Sequence, residues 1–199
     1  MDIAGHPYPA EIQVDSPDQI ARWRPLVQWF LAIPHFLVLW ALGTVSQVVG
    51  IISWFAVVIT GRLPAGLAGL QAMYLRYYNR VYVYSGFILE GYPPFSFNPV
   101  DHDPGDYDRE RVDLEPKLEE RNRLTAAFRL ILVIPQFVVL FFLGIAAAVV
   151  HFVAFFAVII TGRWPEGMQR FVVGVLRWSL RVDAYFLLLT DEYPPFSLD

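Results

Sequence analysis

The sequence predicts an all-α integral membrane protein built from two tandem repeats. Each repeat is a broken apolar helical hairpin or a kinked span, followed by an amphipathic helix. Three observations carry this prediction: two long apolar stretches without charge, a constant offset between similar segments, and arginines at helical spacing behind each stretch. The stretches run from Leu26 to Thr60 and from Leu130 to Thr161, and their first charges are Arg62 and Arg163. Roughly 20 apolar residues suffice to cross a bilayer as a helix, and a soluble core helix has no reason to be apolar on all sides for longer.

Composition agrees. The chain has 199 residues, 56% hydrophobic and 17% charged, against about 25% charged for an ordinary soluble domain. A net charge of -4 gives no basic field for nucleic acid, so nucleic acid is not an expected partner. Cysteine is absent, which excludes disulfides, thiolate zinc sites and cysteine nucleophiles. Residues 1–19 lack the basic and apolar regions of a signal peptide, so the apolar stretches themselves are expected to direct insertion.

The repeat is read from three blocks. Ala32-Ile-Pro-His-Phe matches Val133-Ile-Pro-Gln-Phe. Phe55 to Gly66 matches Phe156 to Gly167, and Tyr92-Pro-Pro-Phe-Ser matches Tyr193-Pro-Pro-Phe-Ser. Each pair is offset by 101 residues (135 − 34, 162 − 61, 193 − 92). The domains are therefore repeat one at 8–97, an acidic linker at 98–111, and repeat two at 112–198.

Within each repeat the elements follow in order. Residues 10–15 and 112–115 alternate apolar and polar, as short strands do, and could pair with each other. Ser16-Pro17-Asp18-Gln19 has the form of a helix start, with Glu115-Pro116 as its counterpart. Such a helix would carry Arg22 and Arg24, or Arg121, Arg123 and Arg129, into the headgroup layer beside Trp23. The apolar stretch then exceeds the hydrocarbon thickness. Gly43-Thr44-Val45-Ser46-Gln47 suggests a hairpin tip, whereas Pro34 and Pro135 suggest a single kinked span. Gly61 and Gly162 cap the stretch, with Arg62 and Arg163 snorkelling. A second helix begins near Gly66 or Gly167. It carries Arg76 and Arg80 in repeat one, and Arg170, Arg177 and Arg181 in repeat two. Gly43, Ser46 and Gly50 offer a small-residue packing stripe. Each repeat exits through Tyr-Pro-Pro-Phe, an extended segment expected to anchor at the membrane surface.

Several of these residues together resemble a known family. Tyr8-Pro9-Ala-Glu-Ile-Gln-Val-Asp15, Arg22-Trp23-Arg24-Pro25, Ala32-Ile33-Pro34-His35, Thr-Gly-Arg-x-Pro-x-Gly, Arg177-Trp178-Ser179-Leu180-Arg181 and Asp191-Glu192-Tyr193-Pro194-Pro195-Phe196 are similar to the bacterial membrane family known as domain of unknown function 4389. The resemblance covers both repeats. It implies a small integral membrane protein of actinobacterial type in the bacterial plasma membrane, and it transfers no catalytic residues. Repeat one departs from the pattern with Arg76-Tyr77-Tyr78-Asn79-Arg80 and Glu90-Gly91.

No catalytic spacing, cofactor motif or metal-site spacing stands out. His6, His35, His102 and His151 are separate. Asp101, Asp103, Asp106 and Asp108 read as a solvated linker rather than a calcium loop, and Asp191-Glu192 as exposed charge. The informative set is Arg22, Arg24, Arg62, Arg76, Arg80, Arg123, Arg163, Arg177 and Arg181. These are candidate contacts for anionic lipid headgroups, or for an anion drawn to a central cavity, or they fix topology alone. The function expected is a non-enzymatic membrane scaffold or accessory subunit that organises anionic lipid, a partner membrane complex or a homo-oligomer. The alternative is a small transporter or channel with an arginine-lined anion path.

Overall fold

The computed structural model describes residues 8–100 and 102–199. The expected duplication is plain in the element lengths. Helix α2 (Ile33–Thr60) and helix α6 (Ile134–Thr161) have 28 residues each, and α3 (Ala65–Ser85) and α7 (Glu166–Phe186) have 21 each. Short helices precede the long ones: α1 (Arg24–Leu31) in repeat one, α4 (Arg123–Ala127) and α5 (Arg129–Leu132) in repeat two. Strands β1 (Ala10–Val14) and β2 (Glu110–Leu114) pair antiparallel, with Ile12 opposite Val112. The fold is thus mostly helical with a small sheet, not all-α.

Neither apolar stretch forms a hairpin of two short helices. Gly43 and Gly144 lie inside unbroken helices. The polar residues that suggested a turn are satisfied where they stand: Thr44 Oγ1 donates to the Trp40 carbonyl at 3.0 Å, and Ser46 Oγ to Gln71 Oε1 at 2.5 Å. One helical glycine costs about 1 kcal/mol, less than opening several backbone hydrogen bonds in an apolar setting. Each helical run is interrupted earlier, at Ala32 and Val133, two residues before Pro34 and Pro135.

The helix start expected at Ser16 is also absent, because residues 15–23 are irregular. Ile20 is buried there, and its N–H donates to the Gly162 carbonyl at 2.8 Å. In repeat two the helix begins later, at Asn122, whose side chain accepts from the N–H groups of Leu124 and Thr125. Asn122 is the N-cap, and Glu115-Pro116 plays no such part.

Gly61 and Gly162 end the long helices with φ of 71° and 73°, a left-handed conformation that a residue with a Cβ resists. Each of these ends is taken up by the other repeat. The Gly61 carbonyl accepts from Arg121 N at 3.1 Å, and Trp54 Nε1 donates to the Ala126 carbonyl at 3.0 Å. The C-terminus of α2 therefore sits beside the start of repeat two's helices, and that of α6 beside the start of repeat one's. The two long helices are antiparallel. At 1.5 Å per residue each is about 42 Å long, so the Gly61 and Gly162 corners lie at opposite ends of the molecule.

The repeats exchange strands as well. Strand β1 packs on α7, and β2 on α3. The core accordingly draws on both repeats, with Ile12, Val57, Leu75, Val112, Ala154 and Leu180 in one cluster.

A layered arrangement results. Helices α3 and α7 are largely enclosed. The sheet, the linker and the Tyr-Pro-Pro-Phe tails cover one side of them: Pro99 reaches Gly69, and Leu198 reaches Gly174. Helices α2 and α6 cover the other side and stay exposed. Only 22% of the most apolar window of the first long helix and 11% of that of the second are buried. A core helix of a soluble protein would be mostly buried, so these two helices are long and apolar enough to cross a membrane and also uncovered.

Candidate lipid-facing surface and its arginines

The exposed apolar surface is continuous in sequence. It takes in Trp29, Phe30, Phe36, Leu37, Trp40 (77% exposed), Ile51 and Phe55 of the first repeat. In the second it takes in Leu130, Phe141, Phe142, Phe152 and Ile160. Helix α2 turns only His35, Ser46, Val49, Ser53 and Val57 fully inward. Gly43, Ser46 and Gly50 lie on this inner stripe, against Tyr74, Gln71 and Leu187. The small residues serve packing within the chain.

The nine arginines singled out from the sequence divide into two sets. Arg22, Arg62, Arg123 and Arg163 are exposed, at the ends of the long helices. Arg123 donates to the Ile59 carbonyl. The other three side chains make no ion pair among the described residues. Arg22 and Arg163 line a cleft of about 550 Å³ with Gln19, Glu90 and Gly162. Arg62 and Arg123 stand at the equivalent place beside Gly61.

The remaining five face protein. Arg24 is half-buried, donates to the Glu90 carbonyl at 2.9 Å and lies over the Trp23 ring. Arg76 donates to the carbonyls of Val100 and Val112. Arg80 pairs with Asp106 at 2.8 Å. Arg177 and Arg181 both reach Glu11, at 3.6 and 2.5 Å. Arg76, Arg80 and Arg181 are 3%, 2% and 6% exposed, so their side chains are enclosed by protein. The α3 arginines grip β2 and the linker, and the α7 arginines grip β1. Each repeat thus holds the other's strand.

The acidic linker is structured, not simply solvated. Asp103 accepts from Gly105 N and Val112 N, both at 2.8 Å, and is buried. Burial pushes Glu110 up to about 8, against the pull of Arg80 3.9 Å away. Asp106, 2.8 Å from Arg80, is its nearer carboxylate partner. Asp108 and His102 are exposed, and Asp101 and His6 lie outside the described residues. Among the described residues no group of three His, Cys, Asp or Glu is placed to hold a metal ion.

Asp191 is not free charge. It accepts from Arg121 and Arg129, both at 2.9 Å, from Asn122 N at 3.1 Å, and lies 3.7 Å from Lys117. Arg121 and Arg129 are buried, whereas the sequence placed them among headgroups. Burial alone would raise the Asp191 carboxyl, but the Arg121 hydrogen bond, the Asn122 N–H and the two guanidinium charges hold it below its ordinary value. Arg129 also donates to the carbonyls of Tyr185 and Thr190, closing the end of α7.

The two buried polar pairs at the helix starts were readable only as isolated residues. His35 Nδ1 lies 2.6 Å from Tyr77 Oη and its ring stacks on Phe95 at 4.2 Å. Gln136, its counterpart, accepts from Trp178 Nε1 at 2.7 Å and donates to the Pro194 carbonyl. His151 lies 3.1 Å from the Ala147 carbonyl and packs on Trp164 and Phe87. All three are packing hydrogen-bonders.

No curated protein and no solved structure matches the chain. One protein family does match, once over residues 22–96 and again over 123–197. Those two segments contain every helix among the described residues, leave out both strands and most of the linker, and cover most of the chain. The protein belongs to the family described as Domain of unknown function (DUF4389), of which it carries two tandem copies.

Proposed function

We propose that the protein is a membrane-embedded scaffold that lies in one leaflet without crossing it, held at both ends by anionic headgroups. One observation carries this reading. The sheet and the acidic linker pack on α3 and α7 at Arg76, Arg80, Arg177 and Arg181, between the two ends of the long helices.

If α2 and α6 crossed a bilayer, that sheet would stand at mid-depth. Its open edges and the exposed Arg111 and Asp113 would then face hydrocarbon. Open sheet edges are not tolerated there, because their backbone groups find no partners. Laid flat, the same molecule puts a helix layer about 10 Å thick into one leaflet, the depth that in-plane helices reach. The sheet, the linker and the Tyr-Pro-Pro-Phe tails then face water. This orientation replaces a multi-pass arrangement as the better reading, within a bacterial plasma membrane.

In that pose Arg22 with Arg163, and Arg62 with Arg123, stand at headgroup level at opposite ends. Each arginine near an anionic surface contributes about 1 kcal/mol. The buried arginines are committed to carboxylates and carbonyls, so an arginine-lined anion path has little to draw on. A fixed pair of headgroup sites suits a scaffold that organises anionic lipid, a partner membrane complex or a second copy of the chain.

Flotation with phosphatidylcholine vesicles, with and without phosphatidylglycerol, tests the headgroup sites. The quadruple variant Arg22→Gln, Arg62→Gln, Arg123→Gln, Arg163→Gln is expected to lose the preference for phosphatidylglycerol while keeping its attachment to phosphatidylcholine. An unchanged preference would overturn the assignment.

A further inference from the structure

Asp183 differs from the other helix-packed acids. Glu11, Glu90, Asp106 and Asp191 each lie within 4 Å of an arginine. Asp183 makes no ion pair and no side-chain hydrogen bond among the described residues, although it sits in the middle of the molecule. It lines a cavity of about 290 Å³ between α2, α3 and α7, with Gly43, Ser46, Gln47, Tyr74 and Tyr78. A second cavity of about 450 Å³ adjoins it, since Gln47, Phe186 and Leu187 line both. That one is mostly apolar, walled by Gly50, Ile51, Trp54 and Leu130, and its one charged lining residue, Arg129, is paired with Asp191. Gln47 is exposed on α2, so the pair of cavities reaches the flank that carries the apolar surface. These sizes suit a small-molecule site.

We propose that the two cavities form one binding site for a single-chain amphiphile with a primary ammonium headgroup, the ammonium beside Asp183 and the hydrocarbon tail along Ile51, Trp54 and Leu130. The chemistry selects this class. An ammonium brings one positive charge and three donors. The first cavity offers a carboxylate, the Gln47 amide oxygen and two tyrosine rings whose faces attract cations, and no cation lines it; Arg129 of the second cavity is already paired with Asp191. A fatty acid would set a second negative charge against Asp183, and a long-chain alcohol would gain no charge pairing. The site is also absent from the other repeat, where Tyr82 stands in place of Asp183 and His151 in place of Gly50. The fold does not require an acid there. Burial raises the Asp183 carboxyl to about 7, the mark of a carboxyl without the cation that would stabilise its charge.

The test uses the full chain in non-ionic detergent above pH 7, with ω-bromododecylamine as probe. Its terminal bromine quenches a nearby tryptophan, here Trp54, and ω-bromododecanol is the uncharged control. The amine is expected to bind at least about tenfold tighter than the alcohol, the scale of one charged hydrogen bond. Asp183→Asn should abolish that difference, Asp183→Glu should keep it, and Trp54→Phe should remove the quenching while circular dichroism stays helical. Equal affinity for amine and alcohol, equal amine affinity in Asp183→Asn, or quenching that survives Trp54→Phe would each overturn the proposal. The inference rests on the in-plane reading only for the ligand's route from a leaflet. Because binding is read in detergent, its failure leaves that reading standing.

Discussion

The two repeats solve the same structural problems with different residues. The end of α3 is closed by Gln28, which donates to the Leu89 carbonyl. The end of α7 is closed by Arg129 at the equivalent position. Glu90 accepts from Ala21 N at 2.6 Å in repeat one, and Asp191 from Asn122 N in repeat two. His35 meets Tyr77 where Gln136 meets Trp178. Where the chemistry changes and the contact persists, the residue holds the fold. Where one repeat has a polar group and the other has no equivalent contact, as at Asp183, the fold does not explain the residue.

The comparison is most easily broken at the acids that close each repeat. Asp191→Ala leaves Arg121 and Arg129 buried without a counter-charge and should cost about 3–5 kcal/mol. Glu90→Ala, in a pair with both side chains partly exposed, should cost about 1 kcal/mol or less. Denaturant titration in detergent measures both, and equal costs would contradict the assigned asymmetry. The Asp191 carboxyl is depressed in the fold, so its contribution is complete above the ordinary value of 3.8 and is lost as pH falls through the lowered one.

Next in size is the exchange of the buried pairs. His35→Gln with Tyr77→Trp installs repeat two's pair in repeat one. The double variant should be more stable than the sum of the singles implies by about 1 kcal/mol. Strict additivity would mean that the pairs are not equivalent.

Gly174→Ala follows. An added Cβ would stand 2.8 Å from the Leu198 carbonyl, and such overpacking costs about 1–3 kcal/mol. Asp183→Asn acts the other way. The raised carboxyl favours folding below 3.8, and that contribution is lost as pH rises through about 7. The variant should therefore flatten the decline of stability across that window. The smallest effect is expected at Gly144, where a Cβ meets nothing within 4 Å. Gly144→Ala should be neutral or stabilising by up to about 1 kcal/mol. A clear loss would revive a turn in the middle of α6.

Much of the fold was legible in the sequence because the duplication leaves local marks. The glycine caps at 61 and 162, the second helices near Gly66 and Gly167, and the extended segments at 10–15 and 112–115 all follow from local pattern, whereas the register of the strand pair does not. The middle of α2 misled, because Thr44 and Ser46 look like turn residues until their hydrogen-bond acceptors are known. The arginines misled for a related reason. Spacing puts Arg177 and Arg181 on one stripe, but only the exchanged strand explains what covers it, and Glu11 is about 170 residues away in sequence. Asp191's clasp was hidden in the same way, since Arg121 and Arg129 meet it only after a whole repeat has folded. The sidedness of the sheet against the apolar helices has no local signature at all.

The in-plane orientation is read most directly by single cysteines, since the chain has none of its own. Arg62→Cys and Arg163→Cys sit at opposite ends of the long helices, with Arg111→Cys on the sheet between them. In sealed membranes, a thiol reagent that does not cross the bilayer should label all three from the same side and none from the other. Labelling of Arg62→Cys and Arg163→Cys from opposite sides would show that the helices cross, and would contradict the account.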